Sequence, residues 1–102
     1  MVTVKITEND AKHAVAVLAG ELDTVASQTF ATQLEPLMED AGKAILIDFS
    51  ELEYISSAGM RTLLLLNKKA KGQGGEVSIK GMSEDIKQIF QLTGFDQMFA
   101  IL

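Results

Sequence analysis

The chain of 102 residues contains no cysteine. That removes disulfides, thiolate nucleophiles and cysteine-ligated metals together. A single histidine, His13, excludes a multi-histidine metal site. Long apolar runs are missing too: Ala14–Leu18 and Leu63–Leu66 are both far too short to span a bilayer. Met1 leads into a Val/Thr/Lys alternation and not a secretory signal. Acidic side chains outnumber basic ones, 14 to nine, giving a net charge of −5. Such a balance repels nucleic-acid phosphates and anionic headgroups. The one basic cluster, Lys68, Lys69 and Lys71, falls at the end of an expected helix, where it complements the dipole. A cytoplasmic protein that neither binds nucleic acid nor inserts into a membrane is expected.

What remains is enough for a core. With 47% hydrophobic residues and one proline, the chain is not of disordered type. Surface scaling for this length predicts about 5,600 Å² exposed when folded, two thirds of the chain's surface being buried. One domain over residues 1–102 is expected.

Val2, Val4 and Ile6 alternate with polar residues, as in a half-buried strand, and Glu8 to Lys12 read as a turn. Ala14–Leu18 is a continuous apolar run, read as a strand buried on both faces and paired with the first as a hairpin. Asp23 or Thr24 caps a helix with Ala26, Phe30, Leu34, Leu37 and Met38 on one face, broken near Glu35 by Pro36. Ala44–Ile47 is a second buried-strand run ending at Asp48, followed by a loop. Ser56 or Ser57 opens a helix to about Lys71, and a glycine-rich turn leads to a strand at 76–80. Ser83 caps a last helix that Gly94 stops, and the tail from Phe95 to Leu102 can add a short strand. The pattern is an α/β domain: a hairpin, then βα units, forming a mixed but mostly parallel sheet of four to five strands with helices packed on it.

Catalytic constellations fail one by one. Around Ser57 the first glycine of a G-x-S-x-G elbow is missing, and His13 and Asp48 complete a triad only nominally. The glycines at 72, 74 and 75 follow a helix, whereas a phosphate cradle precedes one. Asp23, Asp48, Glu51 and Glu53 have no spacing that selects a metal. No enzyme activity, metal or cofactor is expected. The informative stretch is Asp48–Leu66, where two serines stand at the start of a helix. One of them is an N-cap, stabilising by about 1 kcal/mol. The other reading is a regulatory phosphoserine, since phosphate there meets free amides and the positive end of the dipole.

The motif Ser56-Ser57-Ala58-Gly59-Met60-Arg61 resembles the S-S-A-G-L-R type signature of the STAS-domain anti-sigma factor antagonists. Gly20-Glu21-Leu22-Asp23 matches that family's G-E-L-D, and Gly74-Gly75-Glu76 its G-G-E, in the same order. The resemblance runs from about Val2 to Leu92. It implies a STAS fold, and a protein that binds an anti-sigma factor serine kinase and so releases a sigma factor. Phosphorylation of Ser57 would cancel binding and a serine phosphatase would restore it. Asp23, Thr24, Ser56, Ala58, Gly59 and Met60 would form the partner surface, Met60 with a partly exposed side chain. Ser56 stands where many members have Asp, and the family's usual terminal helix has no counterpart before Leu102. The alternative is an accessory STAS subunit of a transporter or signalling scaffold, using the same surface without a phosphoryl switch.

Overall fold

The alternation of the first twenty residues becomes an antiparallel hairpin. In the computed structural model, which describes all 102 residues, β1 (Val2–Asn9) pairs with β2 (His13–Leu22), setting Val4 against Leu18 and Ile6 against Ala16. The turn is tied by Asp10, whose Oδ1 accepts the N–H groups of Lys12 and His13 at 2.8 and 2.7 Å. Those bonds hold its pKa below the ordinary value. His13, the first residue of β2, is exposed.

Three further strands add in chain order. The elements are α1 (Thr24–Gln33), α2 (Glu35–Met38), β3 (Ala44–Ile55), α3 (Ser57–Gly72), β4 (Glu76–Lys80), α4 (Glu84–Thr93), a 3-10 turn at Phe95–Gln97 and β5 (Ala100–Ile101). The sheet order is β1-β2-β3-β4-β5, antiparallel only in the first pair. Proline acts as expected: α1 stops at Gln33, and Pro36 sits in the first turn of α2, where its missing N–H costs little.

The strand runs read as buried on both faces are buried on one. Ala14 and Ala16 of β2 register with Ile45 and Ile47 of β3, and those with Val77 and Ile79 of β4, while Leu18 follows on the same face of β2. These side chains share one face and one cluster with Phe30, Leu34, Leu63, Leu66 and Phe90 from the helices. Val15, Val17 and Leu46, of the other parity, are only half-buried. An unbroken apolar run cannot distinguish the two cases, because it puts apolar residues on both faces whichever is covered. The folded surface is 5572 Å², close to the scaling value.

A second difference concerns β3, which does not end at Asp48 but continues to Ile55 and stays paired with β2 through two register shifts. Its buried residues there are Phe49, Leu52 and Ile55, three apart. Bulges replace the two-residue period with a three-residue one, so the segment carries no strand signature. Asp48 lies just before this irregular part, accepting from Ser50 Oγ at 2.7 Å and Ser50 N–H at 2.9 Å, with Lys80 Nζ 4.0 Å away. The Ser50 hydroxyl, helped by the Ser50 amide and Lys80, outweighs partial burial and lowers its pKa from 3.8. A depressed carboxylate pKa stabilises the fold fully above the unfolded value and ceases to do so as pH falls through the folded one. Asp48→Asn is therefore expected to flatten the loss of urea stability below about pH 4. An acid limb as steep as that of the unsubstituted chain would contradict this.

The far end of the core is aromatic. Phe90 meets Phe49 and Phe95 edge-on, at centroid distances of 5.9 and 6.3 Å, and Phe99 at 6.1 Å with a tilt. Asn67, buried on α3, donates from Nδ2 to the Met98 carbonyl at 2.5 Å and so ties the C-terminal segment to the helix layer.

Candidate functional site

Two helices begin side by side because two parallel strands end side by side. Leu22 and Ile55 are the last registered pair of β2 and β3, and the Ser56 N–H donates to the Leu22 carbonyl at 2.8 Å. Each chain then turns into a helix through a side-chain cap. Asp23 caps α1, accepting the Ala26 N–H at 2.7 Å. Ser56 caps α3, accepting the Gly59 N–H at 3.1 Å. Both have extended backbones, as an N-cap requires.

The alternatives left open by sequence are thereby decided. Asp23, not Thr24, is the cap of α1; Ser56, not Ser57, is the cap of α3. Ser56 is 6% exposed, whereas Ser57 stands exposed at the first helical position. The first main-chain bond of α3 runs from the Met60 N–H to the Ser56 carbonyl, so the Ser57 and Ala58 amides precede the helical ladder. No acidic residue occupies the first turn of this 16-residue helix. Replacing Ser56 by Ala is expected to cost about 1–2 kcal/mol in urea denaturation, the upper part of the N-cap range because the freed amide is buried. An undiminished midpoint would show that the cap contributes nothing.

Gly59 has a packing role. It is buried, and a Cβ there would stand 2.6 Å from Leu22 Cγ and 3.3 Å from Ile55 Cγ1. Leu22 is itself fully buried and has no room to yield. Glycine thus lets α3 start against the strand ends. Gly59→Ala gains up to about 1 kcal/mol of helix propensity but overpacks by about 1–3. A net loss of about 1–2 kcal/mol is expected, read as a lower urea midpoint; a raised midpoint would refute the close approach.

Met60 does not present its side chain to a partner. It is 4% exposed and belongs to the buried stripe of α3 with Leu63, Leu66, Asn67 and Ala70. Spacings of three and four put it there. The groups that do face solvent around Ser57 are Thr24, Val25 and Arg61, with Tyr54 at the end of β3. Val25, 73% exposed, beside a groove of about 340 Å³ between α1 and the first two residues, was missed by sequence reasoning. Its position off the Ala26, Phe30, Leu34 stripe was the available signal.

Ser57 and the single histidine lie at opposite ends of the sheet. His13 begins β2 while Ser57 follows the far end of β3, about 30 Å away at the rise of a strand. No three His, Cys, Asp or Glu side chains gather as a metal site, and no helix is long and apolar enough to cross a membrane.

The family model described as STAS domain matches residues 2–102. The anti-sigma-B factor antagonist of Bacillus subtilis (strain 168) is 30% identical over 100 residues, covering 98% of this chain and 88% of that protein. A crystal structure of an anti-sigma factor antagonist from Mycobacterium paratuberculosis superposes with a TM-score of 0.85 at 23% identity, covering 99% of this chain and 85% of that one. The phosphorylated form of the Bacillus cell fate determinant SpoIIAA does so at 0.72 and 18%, covering 98% and 91%. At those identities the two structures show the fold, a five-stranded STAS sheet under its helices. The chain belongs to the STAS-domain anti-sigma factor antagonist family, whose members are regulatory proteins and not enzymes.

Proposed function

We infer that this protein, acting in the cytoplasm as one domain over 1–102, antagonises an anti-sigma factor that is also a serine kinase, and that phosphorylation of Ser57 switches it off. The unmodified face around Asp23, Thr24, Ser56, Ala58 and Gly59 binds the kinase, which then releases its sigma factor. Met60 contributes main chain and support from beneath. Phosphate on Ser57 adds about −1.5 to −2 charge at the centre of that face and expels the partner. A serine phosphatase resets it.

One observation carries this reading. Ser57 is exposed at the first turn of α3, while the capping duty belongs to its buried neighbour Ser56. A hydroxyl with no structural bond to lose can be esterified without disturbing the helix, and the helix start favours the resulting anion. The same fold carries a phosphate in SpoIIAA.

The experiment is phosphopeptide mapping of the protein purified from its own cells, beside a phosphatase-treated control. Phosphate on Ser57 is the expected result. Phosphate on Ser56 alone would reverse the assignment of the two serines. A chain unmodified across growth and stress would favour an accessory STAS subunit, with the helix start serving as a constant docking face.

A further inference from the structure

Arginine occurs once in the chain, at position 61, four residues after Ser57 on α3. Helical residues four apart share a face, with Cβ atoms about 5–6 Å from each other. Their side chains tilt toward the helix N-terminus, so a long side chain at 61 lies over the turn that holds Ser57. Both residues are exposed. The ion pairs of the fold are His13–Asp10, Lys43–Asp40 and Lys80–Asp48, which leaves the guanidinium without a carboxylate partner.

The surroundings sharpen the point. Charged residues on the neighbouring elements near this helix start are acidic: Glu21 at the end of β2, Asp23 at the cap of α1 and Glu53 on β3. Lys80, which ends β4, is engaged with Asp48. Lys68, Lys69 and Lys71 lie two or more turns further along α3. Arg61 is thus the side-chain cation placed to meet a group on Ser57.

Resting on the reading of Ser57 as the phosphoacceptor, we propose that Arg61 holds the phosphate, donating guanidinium N–H bonds to its oxygens. A planar fork of donors matches phosphate oxygens two at a time, which an ammonium does not. Modification then does two things at one spot: it adds an anion and occupies the cation that the unmodified face displayed. Arg61 is a positioning residue for the switch, and in the unmodified chain its guanidinium has no carboxylate partner.

The test installs phosphoserine at position 57 during synthesis of the full chain, so that no kinase is needed, and follows the phosphate by ³¹P NMR as pH is varied. The second ionisation is expected about half a unit lower in the parent chain than in Arg61→Gln, because an adjacent guanidinium favours the dianion. Arg61→Lys should recover part of the difference, and 1 M salt should shrink it. Superimposable titrations of the parent and Arg61→Gln would overturn the proposal. Unphosphorylated Arg61→Gln should keep the parent urea midpoint, since Arg61 is exposed and unpaired; should Arg61→Gln fold poorly, Arg61→Lys gives the same comparison. Because the phosphate is built in, a negative titration leaves the use of Ser57 in cells untouched. A chain found unmodified in cells, in turn, leaves this ion pair testable.

Discussion

Ser57→Asp is expected to bind the anti-sigma kinase about 30-fold to several thousand-fold more weakly than Ser57→Ala, measured by calorimetry with the purified kinase. A charge left unpaired in a desolvated interface costs about 2–5 kcal/mol, and each 1.4 kcal/mol is a factor of ten. Ser57→Ala removes only an exposed hydroxyl that holds nothing in the fold, so it should bind like the unmodified chain and remain bound in the presence of ATP. Stability separates this effect from damage. Aspartate at the first helical position is favoured by the dipole, so the Asp variant should unfold at the same temperature as the parent or slightly above it. Loss of binding with intact stability is the signature of the switch. Equal affinities of the two variants would end the phosphorylation reading.

Phe90→Ala is expected to have the largest effect on the fold itself, a loss of about 3–5 kcal/mol. Phe90 is fully buried and its ring faces those of Phe49, Phe95 and Phe99 at once. Truncation removes the ring, leaves a cavity and deprives three aromatic neighbours of a ring contact. Against a total stability of about 5–15 kcal/mol, that brings the chain close to unfolding. The melting temperature should fall by about 15–30 °C. The amides of Phe95–Ile101, which dock through this cluster and through Asn67, should exchange faster than the rest of the sheet. A loss below about 1 kcal/mol would mean that the neighbours collapse into the space, and that the cluster is not the anchor of the C-terminal segment.

Where local chemistry decides, the sequence was readable. The hairpin follows from alternation, the break at Leu34 from Pro36, the start of α4 from Ser83, and its end from Gly94, whose φ of 76° most side chains avoid. The S-S-A-G motif located the candidate site, and Ser57 is exposed, as the proposed phosphorylation would require. What escaped reading depends on neighbours. The second half of β3 is a strand because β2 pairs with it, and its buried residues at intervals of three imitate no regular element. Coverage of one sheet face rather than two depends on where the helices lie. Which serine caps α3 depends on where the backbone turns, and adjacent serines offer that turn equally well. Met60 was assigned outward from its place in the motif, although the leucine spacing that follows it already pointed inward.

The main-chain bond from Ser56 to Leu22 has a consequence for how fast such a signal can be written and erased. It fastens the mounting of the helix to the neighbouring strand, and the proposed acceptor, Ser57, is the next residue along and holds nothing. Mount and message are separate parts. On the proposed reading, adding or removing the phosphate involves no refolding, and modified and unmodified chains should superimpose at their main chains. The delay in a cycle of inactivation and recovery then belongs to the enzymes that act on the protein, and none of it to the protein itself.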